Sequence, residues 1–320
     1  MPRLLRGLAT VMTSVLTQAV RRHPPTARAL RTADGRSVSY GELLRLTSVM
    51  ADGLAERGVT AGRTVAFILR NSVEHVAAIL AVADLGARYV PLLNAFDDAG
   101  ISRALARTET VLLITDGHRE VRGRPGLPLV RVSELSRSTA APPAPAGAPH
   151  QGVFRLLWSS GSPGFPKVIA WRQDAFLSER LRWLANTAIT SSDVFFCRHP
   201  LDVTAATDLH MFPALLCGGE LVLADPAASP VKLLHQLAGS RATVMSALPH
   251  HYAELVRARQ QPRPVTGSVV ELSRLRLPLC PGASLSPRLV RDARRILGIH
   301  IRRIHGPTAY GLALSEVRGR

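Results

Sequence analysis

Residues 158–168 read Trp158-Ser159-Ser160-Gly161-Ser162-Pro163-Gly164-Phe165-Pro166-Lys167-Val168, and they separate two short apolar runs. The runs at 154–158 and 168–171 are bounded by turn formers, which is typical of two strands joined by a tight loop. Gly161 and Gly164 permit backbone angles in which successive N–H groups turn inward towards an anion. The serine hydroxyls and Lys167 add further donors. The sequence therefore predicts a phosphate-binding loop, and a solvated hairpin turn is the alternative.

The lysine of this loop stands out against the composition of the chain. Lys and Arg together number 40, yet Lys167 and Lys232 are the only lysines. Because a lysine is a compact point charge, its use in a Gly/Ser loop favours a specific role on phosphate. The stretch matches neither the Walker A pattern nor the dinucleotide fingerprint of glycines, so neither of those nucleotide sites is predicted.

Length and composition limit the classes of protein to consider. The 320 residues are 46% hydrophobic, enough for one large or two ordinary domains. The net charge of +17 comes from scattered arginines rather than a basic block, so we expect no nucleic-acid partner. Cys197, Cys217 and Cys280 lack metal-ligand spacing and fit a reducing compartment, which predicts a cytoplasmic protein. No apolar run reaches the roughly 18 residues that a membrane span needs.

Strand and helix signals alternate along the rest of the chain. Asp34-Gly35 predicts a hairpin turn, and Ser39 with Glu42 has the spacing of a helix capping box. Apolar residues at helical spacing in the first twenty positions predict an N-terminal helix packed on the domain. Repeated strand and helix units predict an α/β fold with a mainly parallel sheet and helices on both faces. Residues 136–150 are Ala- and Pro-rich, so we expect a subdomain at 1–135, a linker at 136–150 and a second subdomain at 151–320.

The loop resembles the nucleotide-binding signature Thr-Ser-Gly-Thr-Thr-Gly-x-Pro-Lys-Gly of the adenylate-forming superfamily. This superfamily includes acyl- and aryl-CoA synthetases, fatty-acyl-AMP ligases, luciferases and the adenylation domains of peptide synthetases. The match is aligned on Gly161, Gly164, Pro166 and Lys167, with serines in place of threonines. Pro163 departs from the pattern and removes a backbone N–H donor, and Val168 replaces a glycine. These departures predict weaker phosphate binding than the family pattern.

Further motifs resemble the same superfamily in family order. Residues 39–43 and 86–92 resemble its first subdomain, and 277–286 resemble its strand that ends in Gly-Ala-x-Leu. The resemblance places Gly282 and Ala283 beside the adenine and the acyl group, and the alternative is a tight turn into the helix that begins near Ser286. The helix predicted at 248–257 carries Tyr252, which borders the acid pocket in the family or packs in the core. Family members often read Pro-Leu-Phe-His where this chain has Pro200-Leu201-Asp202-Val203, so that histidine is missing, and His199 and His210 are interpreted as solvent-edge or packed residues.

The end of the chain resembles the family motif Tyr-Gly-x-Thr-Glu. In the strand register, His305-Gly306-Pro307-Thr308-Ala309 is the match, with histidine for the tyrosine that stacks on adenine and alanine for the glutamate. By letters, Tyr310-Gly311 with Ser315-Glu316 also matches, with two extra residues. The resemblance implies that Thr308 bonds phosphate, and Glu316 is a candidate displaced ligand for Mg²⁺.

The resemblance covers about residues 28–316 and implies stacked, mainly parallel sheets flanked by helices, the first two subdomains of the family's large domain. In this superfamily a third subdomain and a mobile C-terminal lid with a catalytic lysine follow, and we expect the chain to lack both. It implies catalytic roles for Lys167 and Thr308 and the metal ligand Glu316. The implied nucleotide-binding residues are Ser159, Ser160, Gly161, Ser162, Gly164, Lys167, Gly282, Ala283, His305, Gly306 and Thr308.

Two functions compete at this stage. The first is an acid–CoA ligase that joins a carboxylic acid, a fatty acid by preference, to AMP from ATP and then to CoA, with Mg²⁺ as cofactor. The second is a truncated or degenerate AMP-binding domain that no longer catalyses and serves as a nucleotide-binding or interaction module. We expect the isolated chain to bind ATP weakly, if at all, and not to complete acyl-CoA synthesis alone; robust release of pyrophosphate that depends on Lys167 would favour the ligase. A homodimer is the hypothesis for its assembly.

Overall fold

The computed structural model describes residues 14–121, 126–136, 150–159, 165–225, 227–261, 270–282, 284–306 and 313–314. Its strands are β1 Arg28–Thr32, β2 Ser37–Ser39, β3 Thr64–Ile68, β4 Arg88–Pro91, β5 Thr110–Thr115, β6 Leu129–Arg131, β7 Val153–Trp158, β8 Val168–Arg172, β9 Val194–Cys197, β10 Glu220–Leu223, β11 Val244–Ser246, β12 Leu277–Pro281, β13 Arg302–His305 and β14 Ala313–Leu314. Its helices are α1 Val15–Val20, α2 Tyr40–Glu56, α3 Val73–Asp84, α4 Asp98–Arg107, α5 Val132–Leu135, α6 Gln173–Asn186, α7 Thr204–Ala206, α8 Phe212–Cys217, α9 Pro230–Ser240, α10 Pro249–Gln260 and α11 Pro287–Asp292. Two π-helical segments, Thr207–Met211 and Ala293–Leu297, continue α7 and α11.

Local signals set the beginnings of several helices. Ser39 caps α2 in the predicted capping box with Glu42, because each side chain accepts a hydrogen bond from the other's backbone N–H. Ser72, and not the neighbouring Asn71, caps α3 through the N–H of His75. The α/β alternation is therefore confirmed.

The described strands form two mainly parallel sheets. The larger has the order β14-β13-β12-β11-β9-β10-β1-β2 and the smaller the order β6-β5-β3-β4-β7-β8. The antiparallel pairs are β13–β14, β1–β2 and β7–β8. The hairpin β1–β2 thus completes the sheet built from residues after 193, and β7–β8 completes the sheet built from residues before 132. The division at residues 136–150 remains a prediction, and 137–149 lie outside the described residues.

Three apolar clusters account for the layers of the fold. The first lies between the sheets and joins residues of both, such as Phe67, Phe154 and Phe195, to helices α1, α2, α3, α6 and α8. The second packs α9, α10 and α11 on the outer face of the larger sheet, and the third packs α4 on the outer face of the smaller sheet. Burial of this apolar surface drives the stacking of the two sheets. Helix α1 buries Leu16 and Val20 in the first cluster, as predicted for the N-terminal helix, whose first 13 residues lie outside the described part.

A buried ion pair crosses the layer between the sheets. Arg155 on β7 of the smaller sheet is 0% exposed and donates to both carboxylate oxygens of Asp208, at 2.5 and 2.9 Å. Asp208 lies in the π-helical segment packed under the larger sheet, where Arg180 also donates to its backbone oxygen at 2.6 Å. Burial works to raise the pKa of Asp208, but the charge of Arg155 and its hydrogen bonds hold that pKa below its ordinary value. The pair therefore stays ionised and ties one sheet to the other.

No helix in the described residues is long and apolar enough to cross a membrane.

Candidate functional site

The predicted hairpin at 154–171 is confirmed, since antiparallel strands β7 and β8 flank the segment whose binding of phosphate remains a prediction. Trp158 pairs with Val168, and the next pair closes with the Ser159 N–H donating to the Lys167 carbonyl at 2.9 Å. The Lys167 N–H in turn donates to the Ser159 hydroxyl at 3.0 Å. These two bonds fix the neck of the loop and bring together two of the predicted site residues. Ser160, Gly161, Ser162 and Gly164 lie outside the described residues.

Aromatic packing anchors the far side of the loop. Phe165 stacks on Phe96 with ring centroids 5.5 Å apart and meets the edge of Trp158 at 5.6 Å. The Trp158 indole N–H donates to the Pro91 carbonyl at 2.7 Å, which joins the hairpin to the end of β4. Because the hairpin is held at its neck and on its flank, the Lys167 side chain projects from a fixed base.

The Lys167 ammonium is exposed and has no carboxylate within 4 Å in the part of the chain that the structure describes. Several arginines, in contrast, form ion pairs, as Arg31 does with Glu220 at 2.9 Å and Arg36 with Glu74 at 2.7 Å. An unpaired cation at the neck of a Gly/Ser loop can neutralise an added anion without first breaking an ion pair.

Gly282 and His305 lie side by side at the carboxyl edge of the larger sheet. Pro281 on β12 pairs with Ile304 on β13, so the residues that follow each of them leave the sheet at the same level. Gly282 has φ +68°, and a Cβ built there would have no heavy atom of the described residues within 4 Å, so this backbone is left-handed and open to that part of the chain. His305 and Gly306 are exposed. A flat ligand can therefore approach this backbone closely, as the resemblance implies for adenine, while Ala283, Thr308 and Glu316 lie outside the described residues.

Two histidines near the same edge form hydrogen bonds with backbone groups. The His199 Nε2–H donates to the Ser246 carbonyl at 2.9 Å, and the Ser246 N–H donates to His210 Nε2 at 2.9 Å. His210 Nδ1–H donates to the Ala205 carbonyl at 3.0 Å. Burial lowers the pKa of His199 to about 4 and that of His210 to about 3, so both rings are neutral near pH 7. They are packed residues, one of the two interpretations of the sequence, and neither is free to replace the missing family histidine.

The loop after β9 is held by contacts from the smaller sheet. The Asn71 side chain donates to the His199 carbonyl and accepts from the Leu201 N–H, both at 2.8 Å. The Asn94 N–H donates to Asp202 Oδ2 at 3.1 Å, while Asp202 Oδ1 is buried without a partner in the described residues. Burial raises the pKa of this carboxyl group. The sequence reasoning missed these contacts, because Asn71 has the local pattern of a helix opener and its partners lie about 130 residues further along.

Tyr252 on α10 belongs to the core. It is 0% exposed, and its hydroxyl donates to the Leu279 carbonyl at 2.9 Å. Of its two interpretations, the structure shows core packing for this side chain. Among the described residues no group of three or more His, Cys, Asp or Glu side chains is placed to hold a metal ion. The Mg²⁺ ligand Glu316 thus remains a prediction on a residue that the structure does not describe.

Known proteins are similar to this chain in sequence and in fold. Residues 16–317 match the family described as AMP-binding enzyme. Enterobactin synthase component F of Escherichia coli is 29% identical over 92% of this chain and 23% of its own length. Feruloyl-CoA synthase of an Amycolatopsis species is 30% identical over 82% of this chain and 52% of its own length. The chain therefore spans about a quarter to a half of these curated relatives.

Solved structures repeat the architecture at lower identity. The o-succinylbenzoate-CoA synthetase of Bacillus subtilis, in complex with its acyl-adenylate intermediate, aligns with a TM-score of 0.78 and 23% identity over 92% of this chain and 59% of the enzyme. ATP-bound MatB from Rhodopseudomonas palustris aligns with a TM-score of 0.78 and 22% identity over 94% and 61%. The predicted fold, two stacked mainly parallel sheets of an N-terminal large domain, is confirmed. The chain belongs to the AMP-binding enzyme family of the adenylate-forming superfamily.

Proposed function

We propose that this chain binds ATP through the β7–β8 hairpin and activates a carboxylic acid as its acyl adenylate. The observation that carries the proposal is the state of Lys167, a cation with no carboxylate within 4 Å in the described part, based at a hairpin neck closed by Ser159. A positive charge free of protein anions stabilises phosphate oxygens more than one already neutralised.

The adenine and the reacting acid are proposed to lie at the carboxyl edge of the larger sheet. Gly282 supports the adenine position, because its backbone is open where a side chain would stand. His305 would stack on the base in place of the family tyrosine, and Thr308 would donate to phosphate. Ligands of parallel α/β sheets bind at the carboxyl ends of the strands, and this placement agrees with that rule.

The proposed reaction has two steps. A carboxylate oxygen attacks the α-phosphorus of ATP, the bond to the bridging oxygen of the β-phosphate breaks, and pyrophosphate leaves. In the second step, which we do not assign to the isolated chain, a CoA thiolate attacks the acyl carbonyl, and AMP leaves with the electron pair of the broken C–O bond. Lys167 and the loop N–H groups would stabilise the charge that builds on the phosphate oxygens. Mg²⁺, held through Glu316, would supply additional positive charge when bound.

The acid is proposed to be a fatty acid. The imidazoles of His199 and His210 at this edge are neutral near pH 7. Neither ring can therefore form an ion pair with a charged group of a substrate. Asp202 is the nearest alternative, since a buried carboxylate could pair with an amino acid's ammonium group. The substrate panel therefore includes fatty acids, aryl acids and amino acids. Release of pyrophosphate with amino acids alone would move the assignment to Asp202 and exclude fatty acids.

The test measures acid-dependent pyrophosphate release by the purified chain with ATP, Mg²⁺ and CoA, beside a full-length relative as positive control. Lys167→Ala is expected to lose at least about a hundredfold in rate, the typical effect of removing one group that stabilises transition-state charge. Lys232→Ala, the matched control, should leave the rate unchanged. Equal losses in the two variants would show that Lys167 contributes only bulk charge.

Nucleotide binding without turnover is the second candidate function. Val203 occupies the position of the family histidine, and the nearby His199 and His210 are locked to backbone groups. Titration calorimetry with ATP distinguishes the two candidates. Heat of binding that disappears in Lys167→Ala, together with no pyrophosphate release for any acid, would establish the binding module. Release that depends on Lys167 would establish the ligase.

A further inference from the structure

A crevice of about 720 Å³ lies between the two sheets, and no residue of the proposed nucleotide site that the structure describes is part of its lining. It is lined where β1, β3 and β10 end, by segments within 32–36, 69–74 and 223–227. Both sheets therefore contribute to it, and the carboxyl ends of three strands open into it. Its volume is in the range of cavities that hold small organic molecules.

One wall of the crevice is apolar. Leu69, Val73, Leu223 and Ala224 line it, and each is less than 8% exposed. Pro200, from the loop that Asn71 holds, lies in the same lining. An apolar ring or chain placed against these side chains would leave water, which favours binding in proportion to the area covered.

The charged groups of the lining other than Lys232 each have an ion-pair or hydrogen-bond partner. Arg36 pairs with Glu74 at 2.7 Å, and Arg70 pairs with Asp116 at 2.9 Å, which His118 also contacts. Asp34 accepts hydrogen bonds from the Thr32 hydroxyl and the Arg36 N–H. Asp225 accepts one from the Ala227 N–H. Lys232 is the exception, since no carboxylate lies within 4 Å of its ammonium in the described residues. Lys167 and Lys232 thus share one property, because neither has a carboxylate within 4 Å among the residues that the structure describes, and Lys232 lines this crevice.

Two helices begin at the same place. Ser72 caps α3 and Ser229 caps α9, and residues 72–74 and Lys232 at these amino ends line the crevice. The first N–H groups of a helix have no intrahelical acceptor, and the helix dipole makes this end positive. Both effects add to the charge of Lys232, so the polar side of the crevice favours an anion.

We propose that the crevice binds an organic anion, with a carboxylate or phosphate group at Lys232 and an apolar body against Leu69, Val73 and Leu223. Of the phosphate loop's described residues, 158–159 and 165–168, none lines this crevice. The proposal therefore holds whether or not the chain turns over ATP. It also assigns Lys232, the second lysine of an arginine-rich chain, a role in binding a ligand rather than that of an ordinary surface residue.

The experiment is a fluorescence titration of the whole chain with 8-anilinonaphthalene-1-sulfonate, an anion with an apolar body. We expect saturable binding of one probe, displaced by octanoate and by octyl phosphate but not by octanol, which lacks the charge. Displacement by one acid alone would identify the carboxylate or the phosphate as the group recognised. Equal displacement by octanol would overturn the proposal, and so would failure of both acids.

Variants locate the probe. Lys232→Gln is expected to weaken the probe at least about tenfold, with Lys232→Arg close to wild type and Lys167→Gln unchanged. At the exposed rim, Ala33→Glu should repel the anion and its size-matched control Ala33→Gln should not. Circular dichroism confirms that each variant is folded. Binding that is equal in Lys232→Gln and wild type, or weakened as much by Lys167→Gln, would contradict the site.

Discussion

The interior between the sheets and the β7–β8 hairpin differ in how their polar groups are paired. In the interior, Arg155 and Asp208 form a two-bond ion pair, and both imidazoles beside Ser246 are bonded to backbone groups. In the hairpin, Lys167 is exposed and has no acid near it in the described part. Polar groups paired within the protein hold the two sheets together, whereas a cation without a protein partner in the described residues is available to a ligand. Substitutions should therefore affect stability in the first region and binding in the second.

The largest effect is expected for Arg155→Met. It leaves the Asp208 carboxylate buried without its partner, and removal of one member of a buried pair costs about 3–5 kcal/mol. Urea unfolding followed by circular dichroism measures the loss. The double variant Arg155→Met with Asp208→Leu should recover much of it, because no buried charge remains. A loss under about 1 kcal/mol for the single variant would place this pair with the ligand-facing groups.

The buried histidines predict a loss of stability in mild acid. Burial lowers the pKa of His75 and His199 to about 4 and that of His210 to about 3. The unfolded chain takes up protons near pH 6.5 and the folded chain does not, so stability is fully present above that pH and falls as the pH drops towards 4. Between pH 7 and 5.5 each histidine should contribute about 1 kcal/mol of loss.

Urea midpoints at several pH values measure this slope. His75→Asn should reduce the slope of the unfolding free energy against pH by an amount that corresponds to about one proton, relative to the wild-type chain measured in parallel. An identical slope in the variant and the wild type would mean that the His75 ring accepts a proton in the folded state.

Asn71→Ala is expected to cost about 1–3 kcal/mol, because the His199 carbonyl and the Leu201 N–H lose their partner. Asn94→Ala is the matched control. Asn94 contacts Asp202 through its backbone N–H, which alanine keeps, so its loss should stay within about 0.5 kcal/mol. Equal losses in the two variants would show that the side-chain amide of Asn71 adds nothing to the contact between the sheets.

The smallest effect on stability is expected for Lys167→Ala. Its side chain forms no ion pair in the described residues, so the free energy of unfolding should change by less than about 0.5 kcal/mol. Thermal unfolding without nucleotide measures it, with Lys232→Ala in parallel. A change above about 1 kcal/mol would reveal a stabilising role for Lys167 and would blur the distinction between the two regions.

Local patterns in the sequence were sufficient for some features of the fold. The hairpin at 153–172 and the capping box of Ser39 depend on residues close together in the chain, and both are confirmed. The pairing of β1 with β10 was not foreseen, since each strand reads as an apolar run that could join either sheet. The π-helical segment Thr207–Met211 had no local signal either, because its extra residue is held by the contacts of Asp208 and His210.

The candidate site divides in the same way. Lys167 and Ser159 follow from a motif, and the structure places them together. Asn71 and Asp202 act through partners about 110–130 residues away, which composition and spacing do not reveal. Gly282 was predicted from resemblance, and its positive φ supplies a physical reason for glycine there.

The exchange of hairpins between the sheets has a consequence during synthesis. Leu30 on β1 pairs with Leu221 on β10, so β1 and β2 have no sheet to join until roughly 190 more residues have been made. At about 5–20 residues per second this delay is on the order of 10–40 s. The strands of the smaller sheet all lie within residues 64–172, so that sheet is complete while much of the larger one is still to be translated. We therefore expect the smaller sheet to form first in the nascent chain. The β1–β2 hairpin stays unpaired until β10 has been made.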